Sequence, residues 1–115
     1  MFNYLEQDQD QCEFIQIAPI DDLPSGERLF VEVDEKQMVL INLAGNIYAL
    51  GDVCSHDDGP IGEGEIDGHE IICPRHGARF DIFSGKAMQL PAAVDIPAYP
   101  VRVVNGMIEV GIPRI

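Results

Sequence analysis

The sequence predicts an all-β domain, an antiparallel sandwich or barrel. Short apolar runs recur along the chain with turn signals between them, helical periodicity is nearly absent, and Gly/Asn/Asp turns join neighbouring runs. Phe14 to Ala18 reads as a first strand, ended by Pro19 and the turn-rich stretch Asp21 to Glu27. Arg28 to Val33 follows, with Leu29, Val31 and Val33 on one face, and then Gln37 to Leu43. Ala44-Gly45-Asn46 turns the chain into Asn46 to Leu50. Strand-like segments return at His69 to Cys73, Ala78 to Ile82, Val101 to Val104 and Met107 to Val110. The last two are joined by Asn105-Gly106, the strongest short hairpin signal in the chain.

Between these halves, Gly51 to Gly68 holds five glycines, a proline and six acids, with only Val53, Ile61 and Ile66 bulky enough to bury. A segment of that length without its own pattern marks a functional loop. Gln7 to Gln11 reads as a loose tail.

At 115 residues one domain is expected. A hydrophobic fraction of 46% is too high for a disordered acidic tail. No apolar run approaches the roughly 18–20 residues of a membrane span, and Met1 to Glu6 lacks the features of a signal peptide. A cytoplasmic protein is expected. Seven Lys and Arg against twenty Asp and Glu give a formal charge of −13, which excludes nucleic acid and disfavours anionic membranes. A protein partner should instead present a basic patch.

Three cysteines do not make a disulfide framework. Cys12, with no histidine nearby, reads as structural or incidental. Cys54-Ser55-His56 and Cys73-Pro74-Arg75-His76 form a C-x-H, sixteen residues, and a C-x-x-H. They hold two of the three cysteines and two of the three histidines, and each is followed by chain able to bend sharply, Gly59-Pro60 and Gly77. Two Cys and two His suit tetrahedral zinc or a [2Fe–2S] cluster with two Cys on one iron and two His on the other. Zinc fingers usually pair Cys with Cys and His with His, whereas each cluster here offers one of each.

The pattern resembles the Rieske ferredoxins. The likeness runs on through Cys73-Pro74-Arg75-His76-Gly77-Ala78-Arg79-Phe80-Asp81 and Ser84-Gly85-Lys86-Ala87, similar to the CPxHGxxFD…sGkA run of ferredoxin components serving aromatic-ring dioxygenases. Gln89-Leu90-Pro91-Ala92 looks like the family's proline-bearing third loop. The resemblance implies a Rieske-like antiparallel β-sandwich or barrel with a small cluster-binding subdomain of two loops. Residues 1–12 would be a tail, 13–113 the domain, and about 52–91 the subdomain. It also implies one [2Fe–2S] cluster held by Cys54, His56, Cys73 and His76, the cysteines on the inner iron and the histidines at the electron exit.

By the same likeness the chain is a one-electron carrier, not an enzyme, and a monomer. It would take electrons from a flavoprotein ferredoxin reductase and pass them to a terminal oxygenase. High-potential relatives carry two further cysteines, where this chain has Gly59 and Arg75, and a Ser and a Tyr where it has Ala78 and Phe80. Fewer hydrogen-bond donors to sulfur, with Asp57, Asp58, Glu63 and Glu65 nearby, place the potential at the low end of the range, roughly −150 mV. Arg75 and Arg79 partly oppose those acids.

Two rival readings keep the four ligands: a zinc-binding structural module, and the small subunit of a nitrite-reductase type enzyme. A catalytic oxygenase subunit would need a further iron with two His and a carboxylate, and only His69 remains outside the motif. His69 reads as a polar turn residue. Ser55 and Ser84 should serve as hydrogen-bonding loop residues, Phe80 and Phe83 should pack beneath the loops, and Gly62, Gly64 and Gly68 should permit turns.

Overall fold

The computed structural model describes residues 12–55, 59–90 and 94–113. The expected tail at Gln7 to Gln11, the candidate ligand His56, the acids Asp57 and Asp58, and Pro91-Ala92 of the third loop lie outside the described residues.

Eleven strands are described: β1 Cys12–Pro19, β2 Arg28–Val33, β3 Lys36–Leu43, β4 Asn46–Gly51, β5 Ile66–Asp67, β6 Glu70–Ile72, β7 Arg79–Asp81, β8 Ala87–Gln89, β9 Ala98–Tyr99, β10 Val101–Val104 and β11 Met107–Pro113. Among the described residues the one helical element is a single 3-10 turn, Ile20–Asp22. The strands form three antiparallel sheets, ordered β1-β11-β10, β2-β3-β4-β9 and β5-β6-β7-β8.

β3 explains the layering. Its run Met38-Val39-Leu40-Ile41 is buried without alternation, because both faces of the strand are covered. Met38 and Leu40 enter one core, with Ile108, Val110 and Tyr99. Val39 and Ile41 enter a second, with Leu50, Ile71, Phe80 and Ile82. The sheet β2-β3-β4-β9 is thus the middle layer. β1-β11-β10 closes one side and the small sheet β5-β6-β7-β8 the other.

Turn chemistry fixes the registers. Asn105 and Gly106 adopt φ of 52° and 77°, the pair of positive values that a two-residue hairpin requires. Val104 consequently faces Met107 and Val101 faces Val110. Buried Asn42 holds the start of the middle layer, donating from Nδ2 to the Leu23 carbonyl at 2.8 Å while its Oδ1 accepts from Gly45 N at 2.9 Å.

The sequence expectation differs from the structure at four strands. β1 starts at Cys12, buried opposite Pro113, two residues before the strand expected from Phe14. β8 and β9 were not expected. Ala87–Gln89 lacks a clear apolar alternation, and Ala98–Tyr99 is a two-residue strand between prolines held by its pairing with β4. Within Gly51 to Gly68, Ile66–Asp67 forms β5 against β6, because the carbonyl of Glu65 and the edge of β6 supply partners.

Candidate metal centre

The two motif cysteines sit on two loops, one leaving the middle sheet and one within the small outer sheet. Cys54 follows β4, and Cys73 lies between β6 and β7. Each loop closes on itself through backbone hydrogen bonds. Cys54 N donates to the Gly59 carbonyl at 2.7 Å, Cys73 N donates to the Ala78 carbonyl at 2.7 Å, and Gly77 N returns to the Cys73 carbonyl at 3.0 Å. Both cysteines are buried, with relative exposures of 0% and 1%, and both belong to the core cluster that contains Ile61, Ile71, Ala78 and Phe80. None of the three cysteines is in a disulfide. His76, three residues beyond Cys73 on the turn of the second loop, is exposed.

The structure therefore brings Cys54 and Cys73 into one apolar cluster and leaves His76 outside it. Among the described residues no three His, Cys, Asp or Glu side chains converge on a single-ion site. Two buried thiols and an exposed imidazole are the donor types that a binuclear iron cluster with mixed ligands would take. Thiols buried among aliphatic and aromatic groups are sheltered from water and oxidants, which a labile sulfide cluster also requires.

The first loop is tied down by residues that sequence reasoning missed. Asp52 Oδ1 accepts from Ile61 N at 2.9 Å and from Gly62 N at 2.6 Å. Arg28, at the start of β2, donates from Nη1 to the carbonyls of Gly62 and Gly64, each at 2.6 Å. The available signals were the scarcity of cations in this chain and an aspartate placed directly after a strand. Gly62 and Gly64 are explained by close packing rather than by turn dihedrals. A Cβ on Gly64 would lie 1.9 Å from the Ile72 carbonyl, and one on Gly62 would lie 2.4 Å from the Phe30 ring. Ser55 Oγ donates to the Val94 carbonyl, joining the first loop to the chain beyond the third.

The aromatic expectations divide. Phe80 is fully buried in the cluster that holds the cysteines. Phe83 is 42% exposed and instead stacks on His69, centroids 4.9 Å apart, and meets Tyr48 at 4.9 Å. Phe83 follows the end of β7, so its side chain leaves the inward series of Phe80 and Ile82.

Residues 13–100 match the Rieske [2Fe-2S] domain. The chain belongs to the Rieske [2Fe–2S] family. The group its loops serve is one Rieske-type [2Fe–2S] cluster. Over 92 residues the chain is 39% identical to the ferredoxin component of the naphthalene 1,2-dioxygenase/salicylate 5-hydroxylase systems of a Ralstonia species, covering 80% of this chain and 88% of the relative. The ferredoxin of carbazole 1,9a-dioxygenase from Nocardioides aromaticivorans IC177 superposes with a TM-score of 0.80 at 29% identity, covering 88% of this chain and 98% of that one. A chain from a complex of reduced oxygenase and oxidized ferredoxin in carbazole 1,9a-dioxygenase superposes with a TM-score of 0.79 at 25% identity, covering 89% and 96%. The Rieske assignment replaces the zinc module considered on ligand types alone. The described part of this Rieske chain contains no helix long and apolar enough to cross a membrane.

His69 occupies the β5–β6 turn, as expected, and adds a contact that sequence reading did not foresee. Its Nδ1 lies 2.8 Å from Asp81 Oδ1, and Asp81 Oδ2 accepts from Ser84 Oγ at 2.7 Å. The hydrogen bond to Asp81 raises the His69 pKa above its ordinary 6.5, opposed by partial desolvation and aided by the charges of Asp81 and Glu70. A raised histidine pKa gives stabilisation that is full below about pH 6.5 and is lost as pH rises through the folded-state value. The difference in thermal midpoint between wild type and His69→Gln should accordingly be largest just below pH 6.5 and shrink toward pH 8. A difference that grew with pH would contradict the pairing.

Proposed function

We propose that this chain is the ferredoxin component of an aromatic-ring dioxygenase system, carrying one electron at a time from a flavoprotein reductase to a terminal oxygenase. Cys54, His56, Cys73 and His76 are assigned as the ligands. Residues 52–91 act as the cluster-binding unit of a domain spanning 13–113, and the protein works as a cytoplasmic monomer. The observation that carries the reading is the pair of buried thiols with an exposed histidine three residues beyond one of them, in a chain of which dioxygenase ferredoxins match 80–88%.

When bound, the cluster takes up and gives back a single electron without breaking a bond in the protein. The residues of this chain supply the rest. Cys54 and Cys73 offer anionic sulfur from the dry side. Ile61, Ile71 and Phe80 exclude water there, which limits solvent reorganisation when the charge changes. His76 faces outward, where an imidazole edge can meet a partner. Ala78 and Phe80, both fully buried, bring no hydroxyl to the sulfur side. The acidic surface favours approach of basic partner patches and disfavours an added electron.

Three measurements test this. Cys54→Ser and Cys73→Ser should each abolish bound iron and acid-labile sulfide, along with the visible bands and the reduced-state EPR signal of a mixed His/Cys cluster. Colourless wild-type protein containing zinc would refute the assignment. Cyclic voltammetry of the wild type should give roughly −150 mV, and Phe80→Tyr should raise it by supplying a donor to sulfur; a strongly positive wild-type value would remove the argument from missing hydroxyls. The rate of association with reductase and oxygenase should fall as ionic strength rises, because the fields of a strongly acidic surface are screened. A rate indifferent to salt would eliminate steering.

A further inference from the structure

We propose that Arg75 is a positioning residue that clamps the two ligand loops together at their tips and supplies the compensating charge beside the cluster. The inference rests on the ligand assignment above. Arg75 lies between Cys73 and His76 on the second loop, and its side chain crosses to the first. Nη1 donates to the Pro60 carbonyl at 2.7 Å. The guanidinium also rests against Gly59, where a Cβ would lie 2.7 Å from Cζ and Nη2 and 3.0 Å from Nε. Gly59 thus provides the seat: a branched side chain there would occupy the space that the guanidinium fills.

The location gives this contact its consequence. The carbonyl of Gly59 accepts the Cys54 N–H, so the residue under the guanidinium is the one that closes the first loop around its cysteine. The backbone bonds of the Cys54 and Cys73 turns are internal to each loop, whereas Arg75 to Pro60 runs between them. Separation of the tips would pull the two cysteine loops apart, and a charge-assisted hydrogen bond from a planar donor resists that motion better than a neutral one. The same cation lines one cleft with Asp52 and Glu63. A positive charge two residues from Cys73 offsets the negative charge gained on reduction, which moves the potential upward.

The two roles separate in three variants of the loaded protein. Arg75→Leu removes clamp and charge. Gly59→Val keeps the charge but fills the seat, and Arg75→Lys keeps the charge without the planar fork. Arg75→Leu and Gly59→Val should both release iron to a chelator roughly tenfold faster than wild type, as loss of one charge-assisted hydrogen bond predicts, with Arg75→Lys intermediate. Hydrogen exchange at residues 59–62 should rise in Arg75→Leu and Gly59→Val while β1 to β4 stay protected. The potential should fall in Arg75→Leu and remain near wild type in Arg75→Lys and Gly59→Val, a pattern that general loosening would not produce. Wild-type release rates in either Arg75→Leu or Gly59→Val would overturn the clamp, and an unchanged potential in Arg75→Leu would overturn the charge role. Wild-type protein that never takes up iron and sulfide would instead overturn the ligand assignment itself.

Discussion

Burial of two thiols in one apolar cluster is the constraint on which the rest of the structure depends. Cys54 and Cys73 come from loops nineteen positions apart in the chain, and they meet because β3 is covered on both faces. One face packs against β1, β10 and β11 and makes a stable base. The other leaves Val39, Ile41 and Leu50 as a floor on which the small sheet can rest. Without that second apolar face, the loops would have no dry surface to fold over.

A loop made of glycines and acids has little hydrophobic reason to stay folded. Its order comes from polar ties instead. Arg28 and Asp52 collect four backbone groups of the segment 61–64 at distances of 2.6–2.9 Å, and bonds to charged groups are the stronger kind. Arg79 similarly joins Asp67 at 3.0 Å and Glu70 at 3.3 Å, and these carboxylates hold its guanidinium more firmly in the charged form. Arg28 and Arg79, with Arg75 on Pro60, are thus three of the chain's seven Lys and Arg used to hold or neutralise the acidic region around the site. The excess acid that remains is available for interaction with partners.

Much of the fold was legible because the hairpins carry strong local signals. Asn105-Gly106 and Ala44-Gly45 set their registers through backbone dihedrals, with no help from distant residues. The short strands β8 and β9 were not legible, since each exists through pairing with a strand elsewhere in the chain. Phe83 was misplaced for a related reason: the sequence shows its size, while the end of β7 decides which way it points.

At the site, the sequence by itself narrowed the chemistry to a metal or cluster bound by sulfur and nitrogen. Residue types and their spacing named a mixed Cys/His donor set, because ligand softness is a property of side chains and needs no fold to express it. The tertiary structure decided depth and support. It put the thiols inside and His76 outside, gave Arg28 and Asp52 to the first loop, set Gly64 against the Ile72 carbonyl, and seated Arg75 on Gly59. Such contacts join residues far apart in the chain through distances of a few ångströms, and those distances exist only once the three sheets have packed.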